Sequence, residues 1–305
     1  LRFYLTTSST LGMDLNFSTE KLSSTWNFIN KLWNASRFVL MKLEDFKEEE
    51  YKLKNLNDSD KWVLTKLNET IKIVTKSMEK YDFNIAGSEL YSFIWDIFCD
   101  KYIEISKFSD STSTKSTLYY TLLSIIKMMH PFMPFVTEEL YSSLPIKNKE
   151  LLIFESYPTV NKKLIFKDET KKIDELLEFV TLFRNKKLEN KISNDFEVID
   201  YNNNDLLNSM LKLNDKIVEN SKFNDKLTVE LYNYKLDIYF DNSKNSKEEE
   251  EKKKQEIESL EKSIQRRKTL LSNENYCNKA PKNIVDKERE DLQKEMDRLE
   301  ILKKN

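Results

Sequence analysis

A mainly α-helical protein is predicted, built as an antiparallel helix bundle, a small α/β linker unit and a C-terminal antiparallel coiled-coil hairpin. Three observations carry this. The 305 residues include only two glycines and five prolines, too few for the turns of an all-β architecture. Long stretches repeat apolar residues at three- and four-residue spacing. Beyond Asn242 the repeat becomes heptad-like and charge-laced. The expected division is 1–149 for the bundle, 150–243 for the α/β unit and 244–305 for the arm.

Along the first part, 1–10 reads as a helix broken by Leu11-Gly12-Met13-Asp14. Ser18 is an N-cap with Glu20 in the first turn, and Phe17 and Leu22 stand as a hydrophobic staple. The helix over 19–43 is expected to bury Leu22, Ile29, Trp33, Ser36, Leu40 and Leu43. Helices over 58–80, 84–108 and 114–129 follow, the last closed by His130-Pro131, and Pro134 opens a short helix to 144. Short connections between such helices make an antiparallel bundle.

From 150 the texture changes. A β-prone run spans 151–154, and a helix over 167–192 carries a stripe of Ile173, Leu176, Leu177, Val180 and Phe183. Alternating apolar residues over 195–201, a helix over 205–220, and β-prone runs over 227–231 and 236–240 complete a small unit with a three-stranded sheet. In the hairpin, Ile257, Leu260, Ile264 and Leu271 face Val285, Leu292 and Leu299, with Met296 and Leu302 beside them. The chain must reverse over 272–283. Arms of roughly 25 residues project roughly 35–40 Å at the helical rise.

Composition excludes much chemistry. One histidine (His130) and two distant cysteines (Cys99, Cys277) cannot build a zinc site or a disulfide framework. Two glycines exclude Gly-rich phosphate loops. No general acid–base pair stands out, so no catalytic residue and no metal ligand is expected. Lys plus Arg number 50 against 52 Asp plus Glu, so a nucleic-acid surface must be a local patch. No apolar run reaches the length of a membrane span. Unpaired cysteines fit a reducing compartment, with cytoplasm expected and an organelle left open. A start at Leu1 inside an amphipathic pattern is expected of a C-terminal piece of a longer chain.

Two patches are candidates for binding. In 19–43, Asn27, Asn30, Lys31, Asn34, Arg37 and Phe38 fall within one wedge of the helix. Amides can bond base edges, a ring or guanidinium can stack, and lysine can meet phosphate. The competing reading has the asparagines capping loops and Phe38 packing on a neighbouring helix. Near the hairpin tip, Lys262, Arg266, Arg267, Lys268, Lys279, Lys282 and Lys287 cluster, suiting contact with a phosphate backbone; an ordinary solvated coiled-coil surface is the competing reading. Arg267 falls on the expected seam. His130-Pro131-Phe132-Met133-Pro134-Phe135 is expected to be a structural corner whose aromatics plug the bundle, and Cys99 a core thiol.

The runs Asn27-Phe28-Ile29-Asn30-Lys31-Leu32-Trp33-Asn34-Ala35-Ser36-Arg37-Phe38 and Met129-His130-Pro131-Phe132-Met133-Pro134-Phe135-Val136-Thr137-Glu138-Glu139-Leu140 resemble the anticodon-binding bundle of class I aminoacyl-tRNA synthetases, in the valyl/isoleucyl/leucyl branch. Leu270-Leu271-Ser272-Asn273-Glu274-Asn275-Tyr276-Cys277-Asn278-Lys279-Ala280-Pro281, followed by Ile284-Val285-Asp286-Lys287-Glu288-Arg289, is similar to the turn and return helix of the valyl-type coiled coil.

The resemblance implies a tRNA-binding C-terminal region of a valine-specific enzyme, with tRNA(Val) as partner. ATP and Mg would belong to catalytic and editing domains elsewhere in the same chain, and none to this part, which is expected to be a monomer without catalysis of its own. It places Asn30, Lys31, Asn34, Arg37 and Phe38 at the anticodon, with Phe38 as the stacking ring. Lys262, Arg266, Arg267, Lys268, Lys279 and Lys282 would grip the tRNA backbone. Glu20 and Trp26 depart from the arginines of some bacterial members. Two alternatives stand: an isoleucyl/leucyl-type region, or a non-enzymatic helical scaffold binding partners through its coiled coil.

Overall fold

The computed structural model describes residues 1–8, 17–47, 51–146, 150–241, 243–272 and 282–304, with side chains from 254 to 272 and 285 to 303 in the last two stretches. The expected break at Leu11–Asp14 and the hairpin turn, with Cys277 and Lys279, lie outside these residues. The chain forms two compact units: Leu1–Arg184, Tyr201–Asp215 and Glu230–Lys235 in the first, and Asn185–Asp200, Lys216–Val229 and Leu236–Asn305 in the second.

The first unit is mainly α, as expected. Helix α1 (Arg2–Thr7) buries Phe3 and Tyr4. Helix α2 (Thr19–Lys42) starts where Ser18 Oγ accepts from the Lys21 amide at 3.3 Å. The staple differs: Phe17 lies edge-on against Tyr4, with centroids 5.6 Å apart. Helix α3 (Asp58–Glu79) opens with an Asn57/Asp60 capping box. Helix α4 (Phe83–Ser92) continues through a π-helical stretch, Phe93–Tyr102, into α5 (Ile103–Ser106). Gly87 lets α4 approach α1, since a Cβ there would sit 2.2 Å from Thr7 Cγ2.

Ser111 caps α6 (Thr112–Met129), and Pro134 occupies the first turn of α7 (Pro134–Ser143). His130 Nδ1 lies 2.8 Å from Thr137 Oγ1, so the lone histidine braces that corner. Phe132 and Met133 are buried there, but Phe135 is exposed rather than a plug. Cys99 is a buried thiol, pushed up to about 12 mainly by burial.

Under the bundle a polar group is fully enclosed. Asp60 is 0% exposed; Tyr102 Oη donates to its Oδ1 at 2.7 Å and Thr114 Oγ1 at 3.3 Å. Burial raises the Asp60 pKa although these bonds oppose the shift. Beside it, buried Trp62 donates from Nε1 to Asp174 Oδ1 at 2.8 Å. Asp174 lies on α8 (Lys167–Glu189), which buries the expected stripe together with Phe179.

Two expectations fail here. Residues 151–154 form a single 3-10 turn, Leu152–Phe154, instead of a strand. Only Leu152 is buried, and its amide is taken by the Glu138 carboxylate at 3.1 Å, so little apolar surface or free backbone is left for a sheet. Helix α9 (Asp205–Leu211) stops well before 220. Lys212 turns left-handed with φ 55, and the Leu213 amide reaches back to Asn208 O at 2.8 Å while its side chain is fully buried. That is a Schellman-type close.

The second unit holds β1 (Phe196–Asp200), paired antiparallel with the strand β3 (Tyr234–Phe240) from Phe196↔Phe240 to Asp200↔Leu236. Strand β2 (Asp225–Leu231) lies on the other side of β3, giving the order β1-β3-β2. The tip of the β2–β3 hairpin belongs to the first unit. Alternation buries Val198 and Ile238 completely, as period-two sequence demands.

Helices α10 (Ser243–Leu271) and α11 (Lys282–Lys304) run antiparallel: Arg267 meets Glu288, Ser263 Oγ donates to Glu295 at 3.0 Å and Arg298 meets Glu256 at 3.1 Å. Ile264 and Val285 are buried on the seam. Met296 is exposed, one residue past the seam position that Glu295 takes.

Candidate nucleic-acid interface

The solvent face of α2 is set by which stripe packs inward. Phe28, Leu32, Ala35, Ser36, Val39 and Leu43 are buried. At about 100° per residue, this face is rotated roughly 70° from the stripe that the sequence suggests. Phe28 stacks on Phe3 at 5.5 Å and on Tyr91 at 4.8 Å, and these rings fix the rotation. Trp33, expected inside, is therefore 39% exposed and Trp26 62%.

What remains outward is one contiguous surface: Trp26, Asn27, Asn30, Trp33, Asn34, Arg37 and Met41. None of the three asparagine side chains hydrogen-bonds a partner among the described residues, so they do not cap loops. Arg37 likewise has no ion-pair partner there. A row of unsatisfied amides and a free guanidinium beside two exposed indoles can bond and stack unpaired bases.

Two members of the expected set sit differently. Phe38 is half-buried against the core with Lys107 Nζ 5.9 Å from its centroid. Lys31 is half-buried too. Its Nζ lies 3.6 Å from the Trp95 centroid and 2.6 Å from Asp100 Oδ1. Trp95 and Asp100 are five residues apart on the π-helical stretch, whose i→i+5 bonding stacks such positions and lets one lysine reach both. With Asp100 exposed to solvent, a pair of this kind is worth about 1 kcal/mol, so Lys31 can exchange Asp100 for a phosphate. Trp26 and Trp33 are the residues missed by the sequence reading; the 28-32-35-39 spacing was the signal that turns them outward.

On the arm, Arg266 and Lys268 are exposed and carry no ion pair among the described residues. Lys262 is exposed and pairs with Glu258 at 2.6 Å. Lys279 lies outside the described residues, as does the side chain of Lys282. Arg267 is not outward. It binds Glu288, meets Glu295 at 3.2 Å and lies 3.6 Å from Asp291. Glu288 and Glu295 continue the 285-292-299 seam at steps of three and four, so a charged layer replaces an apolar one inside the hairpin. Arg266→Ala should therefore weaken RNA binding and leave arm helicity intact. Arg267→Ala should unwind the arm, by circular dichroism, because it strands two or three carboxylates together.

Residues 60–201 match the family described as the anticodon-binding domain of tRNA ligase, and 246–305 match the valyl tRNA synthetase tRNA binding arm. The chain carries the anticodon-binding domain and tRNA-binding arm of the valyl-tRNA synthetase family. A valine–tRNA ligase of Staphylococcus haemolyticus is 36% identical over 334 aligned residues, covering 99% of this chain and 37% of that protein. One of Staphylococcus saprophyticus is 36% identical over 96% of this chain and 36% of its own length. One of Staphylococcus epidermidis is 48% identical over 198 residues, 62% of this chain and 22% of that protein. The chain thus spans little more than a third of the relatives it matches end to end. The valyl-type arm match separates the chain from the isoleucyl/leucyl alternative, and the two matches together replace the scaffold reading. Among the described residues no group of His, Cys, Asp and Glu could hold a metal ion, and no helix is long and apolar enough to cross a membrane.

Proposed function

We propose that this chain binds tRNA(Val), reading the anticodon with the outward face of α2 and holding the phosphate backbone with the arm, in the service of valine–tRNA ligation carried out by other domains of the same protein. Those domains would bind ATP and Mg. The single observation behind the reading is the unpartnered face of α2, where Asn30, Asn34 and Arg37 stand beside Trp26 and Trp33. Amides discriminate base edges, and the indoles supply stacking that any base can use. Phe38 and Lys31 support the rim of that surface. Arg266, Lys268 and Lys262 supply charge without sequence information. The protein works as a monomer, since pairing within one chain satisfies both coiled-coil seams, and its place is the cytoplasm. Titration with an anticodon stem-loop RNA tests the reading: tryptophan fluorescence should fall as Trp26 and Trp33 are covered. Unchanged fluorescence with no retarded complex would end it.

A further inference from the structure

A second cationic site lies in the sheet-containing unit. Lys187, near the end of α8, places Nζ 4.3 Å from the Phe196 ring centroid, and Lys216 places Nζ 4.5 Å from the same centroid. The two ammonium groups are therefore no more than about 9 Å apart. Both contact Asn194: Lys187 donates to its Oδ1 at 3.3 Å and Lys216 to its carbonyl at 2.7 Å. Neither forms an ion pair with a carboxylate among the described residues, whereas nearby Lys222 pairs with Glu197 at 3.3 Å and Lys186 with Glu189 at 2.9 Å. Both are half-buried, so their charges are held in place by packing instead of being dispersed in water.

We infer that Lys187 and Lys216 form a phosphate-binding site for the RNA backbone, separate from the α2 face and the hairpin. Two like charges gathered around one ring repel each other, and a bound anion removes that repulsion. In keeping with this, the Lys187 pKa is lowered, first by burial and then by the Lys216 charge. The ligand is a phosphodiester and not a base, because Phe196 is only 5% exposed and cannot offer a face for stacking. The ring instead gathers both ammonium groups, each within 4.5 Å of its centroid. Asn194 accepts from both ammonium groups and leaves their other protons for phosphate oxygens. Such contacts position RNA without reading sequence.

The inference rests on the tRNA-binding reading, and one experiment separates their failures. The affinity of this chain for tRNA(Val) is measured across salt for wild type, the Lys187→Met/Lys216→Met pair, the Lys187→Arg/Lys216→Arg pair, and Lys222→Met. Methionine keeps an unbranched side chain of similar length beside Phe196 and removes the charge. Loss of two phosphate contacts should reduce the slope of log affinity against log salt by roughly 1.5 and lower affinity about tenfold at low salt. The arginine pair and Lys222→Met should match wild type. A methionine pair with wild-type slope and affinity overturns the inference alone. Equal losses in the arginine and methionine pairs also overturn it, by showing that packing was responsible. Inorganic phosphate that weakens wild-type binding as far as the methionine pair does, at matched ionic strength, would give the site to free phosphate instead. A wild-type chain that binds no tRNA removes the reading and this site together.

Discussion

Trp33→Ala is expected to weaken binding of tRNA(Val) about tenfold or more while leaving thermal stability nearly unchanged. A base stacked on an aromatic side chain is worth about 1–3 kcal/mol by alanine substitution. Trp33 is 39% exposed and stands on the solvent face, so its removal opens no large cavity. Phe38→Ala makes the informative comparison. Phe38 packs against the core, so its truncation should lower the melting temperature as well as affinity. Should Phe38→Ala cost affinity with no loss of stability, and Trp33→Ala cost neither, the ring that stacks would be Phe38 and the α2 face would be misassigned.

Asp60→Ala is expected to destabilise the bundle by about 3 kcal/mol or more, since it removes the capping-box carboxylate and leaves Tyr102 Oη and Thr114 Oγ1 without their acceptor in a sealed site. Asp60→Asn should cost much less, because an amide oxygen still accepts from Tyr102. The two forms also differ in pH response. Burial raises the Asp60 pKa above its ordinary 3.8, so the folded state binds the proton more tightly than the unfolded chain. Stability owed to that proton is complete below the ordinary value and is lost as pH rises through the raised one. The wild type should therefore lose stability relative to Asp60→Asn across that interval. Parallel denaturant midpoints for the two proteins over the same interval would show that Asp60 stays ionised in the fold.

Much of this architecture is legible in the residues. Ser18, Pro134 and the stripe from Ile173 to Phe183 announce their elements through local chemistry alone, and the helical periods are long enough to dominate. The failures have a common cause in tertiary choice. Helix α2 carries two overlapping apolar stripes. Only the rings it meets, Phe3 and Tyr91, select Phe28 over Trp33. Helix α9 ends early because burying Leu213 outweighs continued helix. The run at 151–154 is β-prone but finds Glu138 where a strand partner was needed. Of the proposed binding residues, Asn30, Asn34 and Arg37 can be placed on the outward face of α2 from spacing alone. Arg267 lies on the seam that its spacing predicts, and its partners Glu288 and Glu295 take it out of the outward cationic patch expected at the hairpin tip.

Anticodon reading by the outward face of α2 is the central proposal. The chain's affinity for tRNA(Val) and for the same tRNA with a swapped anticodon, each at two salt concentrations, tests that directly. The swap should cost tenfold or more at both salts, with the salt dependence of the two tRNAs alike, because phosphate contacts are shared and base contacts are not. Equal affinity for both tRNAs, falling steeply with salt, would mean that the chain only grips phosphate.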